Sequence, residues 1–261
     1  MFQTVPSLSD WEPGSIQTSM NIPTIKGVID RRILINFTVD PEIISRIIPD
    51  PFKPKVYQEK AIVGICLIRL KKIRPKGLPE LVSLSSENGA HRIAVEWIEN
   101  GEQKQGVFIP RRDTSSRINS LVGGRIFPGR HFHAEFKVKE GNGHYEVAFE
   151  SSDGAIVEII ADKTSEYNPR SIFRNLETAS VFFRGGAVGY SPSGGKFEGL
   201  ELRTKNWKVE PLEVSKIRSS FFEDENNFPS GAVQFDNALL MTQIDHEWHA
   251  VGQKSAKADC S

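Results

Sequence analysis

RRILINFTVDPEIISRIIPDPFKP, residues 31–54, changes its hydrophobic period once, and that change decides how the fold is read. Ile33, Ile35, Phe37 and Val39 occupy every second position, the pattern of a strand with one buried face. Asp40-Pro41-Glu42 then resets the period: Asp40 can cap a helix and Pro41 suits its first position. Pro49 closes that helix after Ile43, Ile44, Ile47 and Ile48. A strand running into a short helix is the opening unit.

Downstream, strand patterns dominate. Ala61–Leu70 is an apolar run of strand length, and 91–98 alternates through Ile93, Val95 and Trp97. Val107–Ile109 is a further short strand, after which Asp113 is expected to cap a helix through Ile118, Leu121 and Val122 that Gly123 and Gly124 stop. Phe132, Ala134, Phe136 and Val138 alternate with polar neighbours, and Asp153-Gly154 between two alternating runs signals an antiparallel hairpin. Residues 168–184 carry the longest helical pattern, with 171–184 as its core and Phe173, Leu176 and Phe183 on its apolar face. The glycines of FFRGGAVGYSPSGG (182–195) follow that helix, so they read as a stop and a flexible turn and not as a phosphate cradle. Strand patterns return at 197–204, 206–216 and 232–249. The expected class is α+β and mainly β, a large curved antiparallel sheet closing into a barrel-like core with a few helices. One domain over 27–250 is expected, with an N-terminal arm (1–26) and a C-terminal tail (251–261).

The 261 residues carry 33 basic and 33 acidic side chains, and no basic run collects phosphates, which argues against nucleic acid as a partner. Cys66 lies inside an apolar run and Cys260 one residue from the end, so neither reads as half of a disulfide. The first twenty residues lack a signal-peptide pattern and no segment approaches a membrane span, so a cytoplasmic protein without a membrane partner is expected.

Three stretches resemble the acetoacetate-decarboxylase-like superfamily, and within it the group called domain of unknown function 2071. They are the opening unit at 31–54, SSENGAHRIAVEW at 85–97, and NSLVGGRIFPGRHFHAEF at 119–136. The resemblance matches Glu87 and Arg92 to that group's E-x-N and R positions, and places 119–136 at the superfamily's G-x-P-K-K element. Family decarboxylases carry a lysine directly after that proline, which attacks a ketone as a free amine. Here Pro128 is followed by Gly129 and Arg130, and a guanidinium that stays protonated cannot form a Schiff base. Lysine-dependent decarboxylation is therefore not expected, and whether the chain is an enzyme at all stays open.

What the resemblance implies is a small-molecule cavity with a positive end and no cofactor. Arg125 and Arg130, with Arg92, would bind a small acidic molecule through paired N–H donors, and Glu87 would carry any proton transfer. Ordinary ion pairing competes with that reading for both arginines. Two rival functions remain. His131, His133 and Glu135 share a strand face and could reach one metal. A non-catalytic protein whose sheet serves assembly is the other, which leaves a homo-oligomer among the partners. His246 and His249 receive no role.

Overall fold

The alternation of residues 33–39 builds a strand longer than itself. In the computed structural model, which describes residues 23–116 and 128–255, β1 spans Ile25–Val39 and buries Ile33, Ile35, Phe37 and Val39 on one face. Leu34 is buried on the other, so both faces of β1 are covered. The strand ends where Asp40 accepts a hydrogen bond from Glu42 N (2.8 Å) and Pro41 opens α1 (Pro41–Ile47), as the sequence predicts. Strands β2 (Lys53–Pro54), β3 (Val56–Tyr57), β4 (Lys60–Pro75), β5 (Leu84–Glu99) and β6 (Glu102–Thr114) follow. After the undescribed segment come β7 (His131–Gly141), β8 (His144–Ser151) and β9 (Ile156–Lys163), with Asp153-Gly154 in the antiparallel β8–β9 hairpin. Helix α2 (Leu176–Arg184), β10 (Val188–Ser193), β11 (Lys196–Thr204), β12 (Glu210–Ser219) and β13 (Gln234–Ser255) complete the described chain.

Hydrogen bonding closes these strands into a ring of nine, β6–β7–β8–β9–β12–β13–β1–β4–β5 and back to β6. A second, shorter circuit shares one wall with it. The first half of β6 pairs with β10, β10 with β11, and β11 with the last ten residues of β13, leading back through β1, β4 and β5. The chain is thus mainly β and barrel-like, but the sheet is mixed: β6 pairs in parallel with both β7 and β10. Each face of the shared wall has its own core. Ile33, Ile35, Val63, Ile65, Ile93 and Phe149 belong to one, and Leu34, Ile62, Cys66, Leu70, Phe173 and Phe183 to the other. No described helix is long and apolar enough to cross a membrane.

Three expectations need correction. Asp113 is no helix cap: it lies inside β6 with its carboxylate held by Arg111, and residues 118–124 fall outside the described chain. The main helix begins at Leu176. Upstream, Asp236 captures the Ser171 hydroxyl (2.7 Å) and the Ile172 N–H (2.9 Å), and Arg174 takes a left-handed φ of 61° that no helix interior tolerates. Asn175 then caps the helix by accepting from Thr178 N (2.8 Å). Nor are the glycines after α2 only a stop and a turn. Gly189 lies in β10, where an added Cβ would stand 2.9 Å from Ile109 Cδ1, so glycine is what lets β10 close against β6.

Candidate functional site

Register decides which side chains meet. Arg32 on β1 lies opposite Ile68 on β4, Leu34 opposite Cys66, and Gly64 opposite Arg92 on β5, so Arg32, Cys66 and Arg92 share the face that the shorter circuit encloses. Between that face and β6, β10, β11 and β13 lies a cavity of about 120 Å³. Its wall is apolar through Ile68, Leu70, Val107, Ile109, Leu200 and Trp248, and its charge comes from Arg32, Arg92 and Arg112. No lysine is among the described residues that line it.

None of these three guanidiniums has a carboxylate in ion-pair range among the described residues. Arg32 Nε donates to Cys66 Sγ (3.3 Å), Arg112 Nε to Ser191 Oγ (3.1 Å), and Arg92 Nη2 to Asn36 Oδ1. Arg92 is only 6% exposed, and its Nε is buried without a partner. Burial pushes Arg92 and Arg112 down to about 10, which leaves both charged at neutral pH but poorly solvated. The one carboxylate among the described residues of the wall, Asp113, is already committed to Arg111 (2.7 Å) and Ser151. His131 also faces the cavity; burial, with Arg112 beside it, pushes its imidazole down to about 3 and keeps it neutral.

Arg92 is held from behind by a buried relay. Asn36 Nδ2 donates to Asn237 Oδ1 (2.7 Å), and Asn237 Nδ2 donates to Asp236 Oδ2 (2.6 Å). The guanidinium reaches Asn36 past Gly64, where an added Cβ would stand 3.2 Å from Arg92 Nη2 and 2.3 Å from the Ile35 carbonyl oxygen. The Phe183 ring lies under the guanidinium, 5.1 Å from centroid to Cζ.

Of the described residues that the sequence offers as site candidates, Arg92 and His131 line this cavity. Glu87 is on the other face of β5, its carboxylate shared between Arg31 (2.5 Å) and Arg69. Arg130 is exposed and lies over the Phe132 ring at 4.7 Å. Arg125 lies outside the described residues. His131 Nδ1 is 3.1 Å from the Gly129 carbonyl, and among the described residues no three His, Cys, Asp or Glu side chains are grouped to hold a metal, His131, His133 and Glu135 included. Arg32, Arg112 and Cys66 were missed. Their sequence signal is a polar residue in an apolar strand, but only the register shows that the three share a wall.

A larger cleft of about 530 Å³ between β1, β4, β11 and β13 is lined by Lys26, Lys72, Arg74, Arg203, Lys205, Glu80, Asp245 and Glu247. Its charges are of both signs and partly paired at the surface, as in the exposed Lys72–Glu80 pair (2.8 Å), where water already solvates them.

No curated protein matches the chain by sequence. Among solved structures, acetoacetate decarboxylase from Legionella pneumophila superposes with a TM-score of 0.56 at 11% identity, covering 96% of this chain and 98% of that one. An acetoacetate decarboxylase-like enzyme from Sphingomonas wittichii RW1 gives 0.56 at 10%, over 96% and 98%. The enduracididine biosynthesis enzyme MppR complexed with pyruvate gives 0.54 at 11%, over 96% of both chains. At these identities the likeness establishes the fold, which is acetoacetate-decarboxylase-like. The sequence model of DUF2071, described as an uncharacterized conserved protein, matches residues 29–241, and the chain belongs to that family.

Proposed function

We propose that the chain binds a compact carboxylic acid in the cavity between the shared wall and β10–β11, with Arg32, Arg92 and Arg112 as its anchors. One observation carries this reading: three guanidiniums with no ion-paired carboxylate among the described residues line one apolar cavity. Holding charge out of water costs several kcal/mol per ion unless a counter-charge or hydrogen bonds compensate, and a carboxylate that accepts guanidinium donors in fork geometry supplies both. Arg92 keeps the role the family resemblance gave it. Arg32 and Arg112 take the role first given to Arg125 and Arg130, and Glu87, committed to two arginines, is withdrawn as the proton-transfer group.

Volume limits the ligand. A dry cavity of about 150 Å³ elsewhere holds benzene, so about 120 Å³ suits a ligand of roughly six heavy atoms. Pyruvate, bound by an enzyme of the same fold, has that size and charge, and it serves as the probe. With no lysine on the described wall, the reading excludes a Schiff base formed there.

The test is calorimetry of pyruvate and of its neutral amide against the unmodified protein, Arg32→Gln and Arg112→Gln. Each substitution should weaken acid binding by about ten- to a hundredfold, as loss of one charge-assisted contact does, and barely change amide binding. Equal affinity of acid and amide for the unmodified protein would overturn the reading.

A further inference from the structure

We propose that Asn36 is a positioning residue of this cavity, a neutral spacer that orients Arg92 and keeps it from being neutralised by Asp236. This role rests on the acid-binding reading and deepens it, because it states what leaves Arg92 free for an incoming carboxylate. One row of residues crosses four strands. Asn237 of β13 is opposite Asn36 of β1, Asn36 is opposite Gly64 of β4, and Gly64 is opposite Arg92 of β5. Gly64 is the gap in the row. Arg92 Nη2 reaches over β4 to Asn36 Oδ1, and a Cβ at Gly64 would stand 3.2 Å from the first atom and 3.3 Å from the second. At the far end, Phe37 pairs with Phe235 and Asn36 with Asn237, which leaves Asp236 as the unmatched residue of a β-bulge.

Asp236 is 4% exposed and accepts from Asn237 Nδ2 (2.6 Å), the Ser171 hydroxyl (2.7 Å) and Ile172 N (2.9 Å), all of them neutral donors, and no cation among the described residues lies in ion-pair range of it. A buried cation and a buried carboxylate therefore end one hydrogen-bonded row, with two buried amides between them. The ends fix its direction. A guanidinium only donates and an ionised carboxylate only accepts, so each amide must accept on the Arg92 side and donate on the Asp236 side. Asn36 does so between Arg92 and Asn237 (2.7 Å). A direct buried ion pair would satisfy both charges, but a guanidinium so paired has no net charge left for a ligand. The amides hold the guanidinium in place without cancelling its charge, so its counter-charge has to come from the cavity side. Exchanging the Asn36 amide for a carboxylate, one nitrogen for one oxygen, puts an anion directly on Arg92 and removes that availability.

The experiment is calorimetry on the full chain with pyruvate and its neutral amide, comparing the unmodified protein with Asn36→Asp. The substitution should weaken pyruvate binding about ten- to a hundredfold, the loss of one charge-assisted contact, and change amide binding by less than about threefold. A purely structural Asn36 would leave the ratio of the two affinities as it was, and that result overturns the role of Asn36 while acid binding through Arg32 and Arg112 stands. Equal weakening of both ligands marks a deformed cavity and overturns the role as well. An unmodified protein that does not prefer the acid to the amide overturns the acid-binding reading and this role together. Should Asn36→Asp fail to fold, Asp236→Asn decides. With two amides between Asp236 and Arg92, that substitution should alter pyruvate affinity by less than about tenfold, whereas a change of about tenfold or more in either direction shows that Asp236 itself sets the charge or the place of Arg92 and overturns the spacer.

Discussion

Arg31 and Arg32 are neighbours on β1, and the alternation of the strand sends them to opposite sides of the same wall. On one side Arg31, 2% exposed, meets Glu87 (2.5 Å) and Glu140 (3.1 Å); Arg69 shares both carboxylates and also reaches Asp30 (3.4 Å), which Lys71 pairs (2.9 Å). Three cations there face three carboxylates. On the other side Arg32, Arg92 and Arg112 find a thiol, an amide and a hydroxyl. The residue type is the same and the pairing is not. A balanced network of this kind holds a fold together, whereas the unbalanced one is what the proposed acid would complete.

Acid breaks the comparison most severely, because each side of the wall also buries a neutral histidine. His91, on the Glu87 side, is pushed by burial down to about 3 and hydrogen-bonds Ser219 (3.0 Å); His131, on the cavity side, is pushed down to about 3, and His246 to about 4. Since each folded value lies below the ordinary 6.5, the unfolded chain takes up these protons first. Stability is therefore whole above about pH 6.5 and falls as pH drops towards 4, by up to about 1.4 kcal/mol per histidine per pH unit. Asp113 works the other way, since burial raises its carboxyl, but it is one group against three. Urea titrations at stepped pH should show this decline, and His91→Gln should make it shallower by about one proton. A decline that begins only below pH 4 would show that carboxylates govern it instead.

Glu87→Gln addresses the balanced side directly. It leaves Arg31 buried with Glu140 as its one carboxylate, and breaking a buried pair of this kind costs about 3 kcal/mol. The urea midpoint should fall accordingly, while pyruvate binding by the remaining folded protein stays as it was. A Glu87 variant of unchanged stability that no longer binds acid would reverse the roles assigned to the two sides.

What could be read from the sequence was what local chemistry dictates. The β1–α1 unit follows from the period of residues 33–39 and the Asp40-Pro41 step, and the β8–β9 hairpin from Asp153-Gly154. The start of α2 did not follow, because Asp236, sixty-five residues beyond Ser171, takes the hydrogen bonds that a longer helix would have used. The parallel pairing of β10 with β6 was hidden for the same reason: two strands eighty residues apart carry no local mark of their partnership. In the site, Arg92 was reached through the resemblance. Arg32 and Arg112 needed register, and nothing local to Glu87 marks its partners, Arg31 and Arg69, which lie on other strands.

The smallest expected effect is also the one that most sharply separates the two sides. If Arg112 is kept for a ligand and not for the fold, the empty protein carries it at a cost: its guanidinium is pushed down to about 10 by burial and has one hydroxyl partner, Ser191 (3.1 Å). Arg112→Met keeps much of the apolar stem of the side chain on the wall that Val107 and Ile109 also line, while removing the charge. Replacing poorly solvated buried charge by apolar groups of similar volume is often neutral or stabilising, so the urea midpoint without ligand should hold or rise, by about 1 kcal/mol. Pyruvate, which should stabilise the unmodified protein in proportion to the logarithm of its excess over Kd, should then stabilise the variant less. The unmodified protein would be the less stable one without ligand and the more stable one with it. A variant that is instead destabilised without pyruvate, as Glu87→Gln is expected to be, would place Arg112 among the residues that hold the wall together and leave the cavity one anchor short.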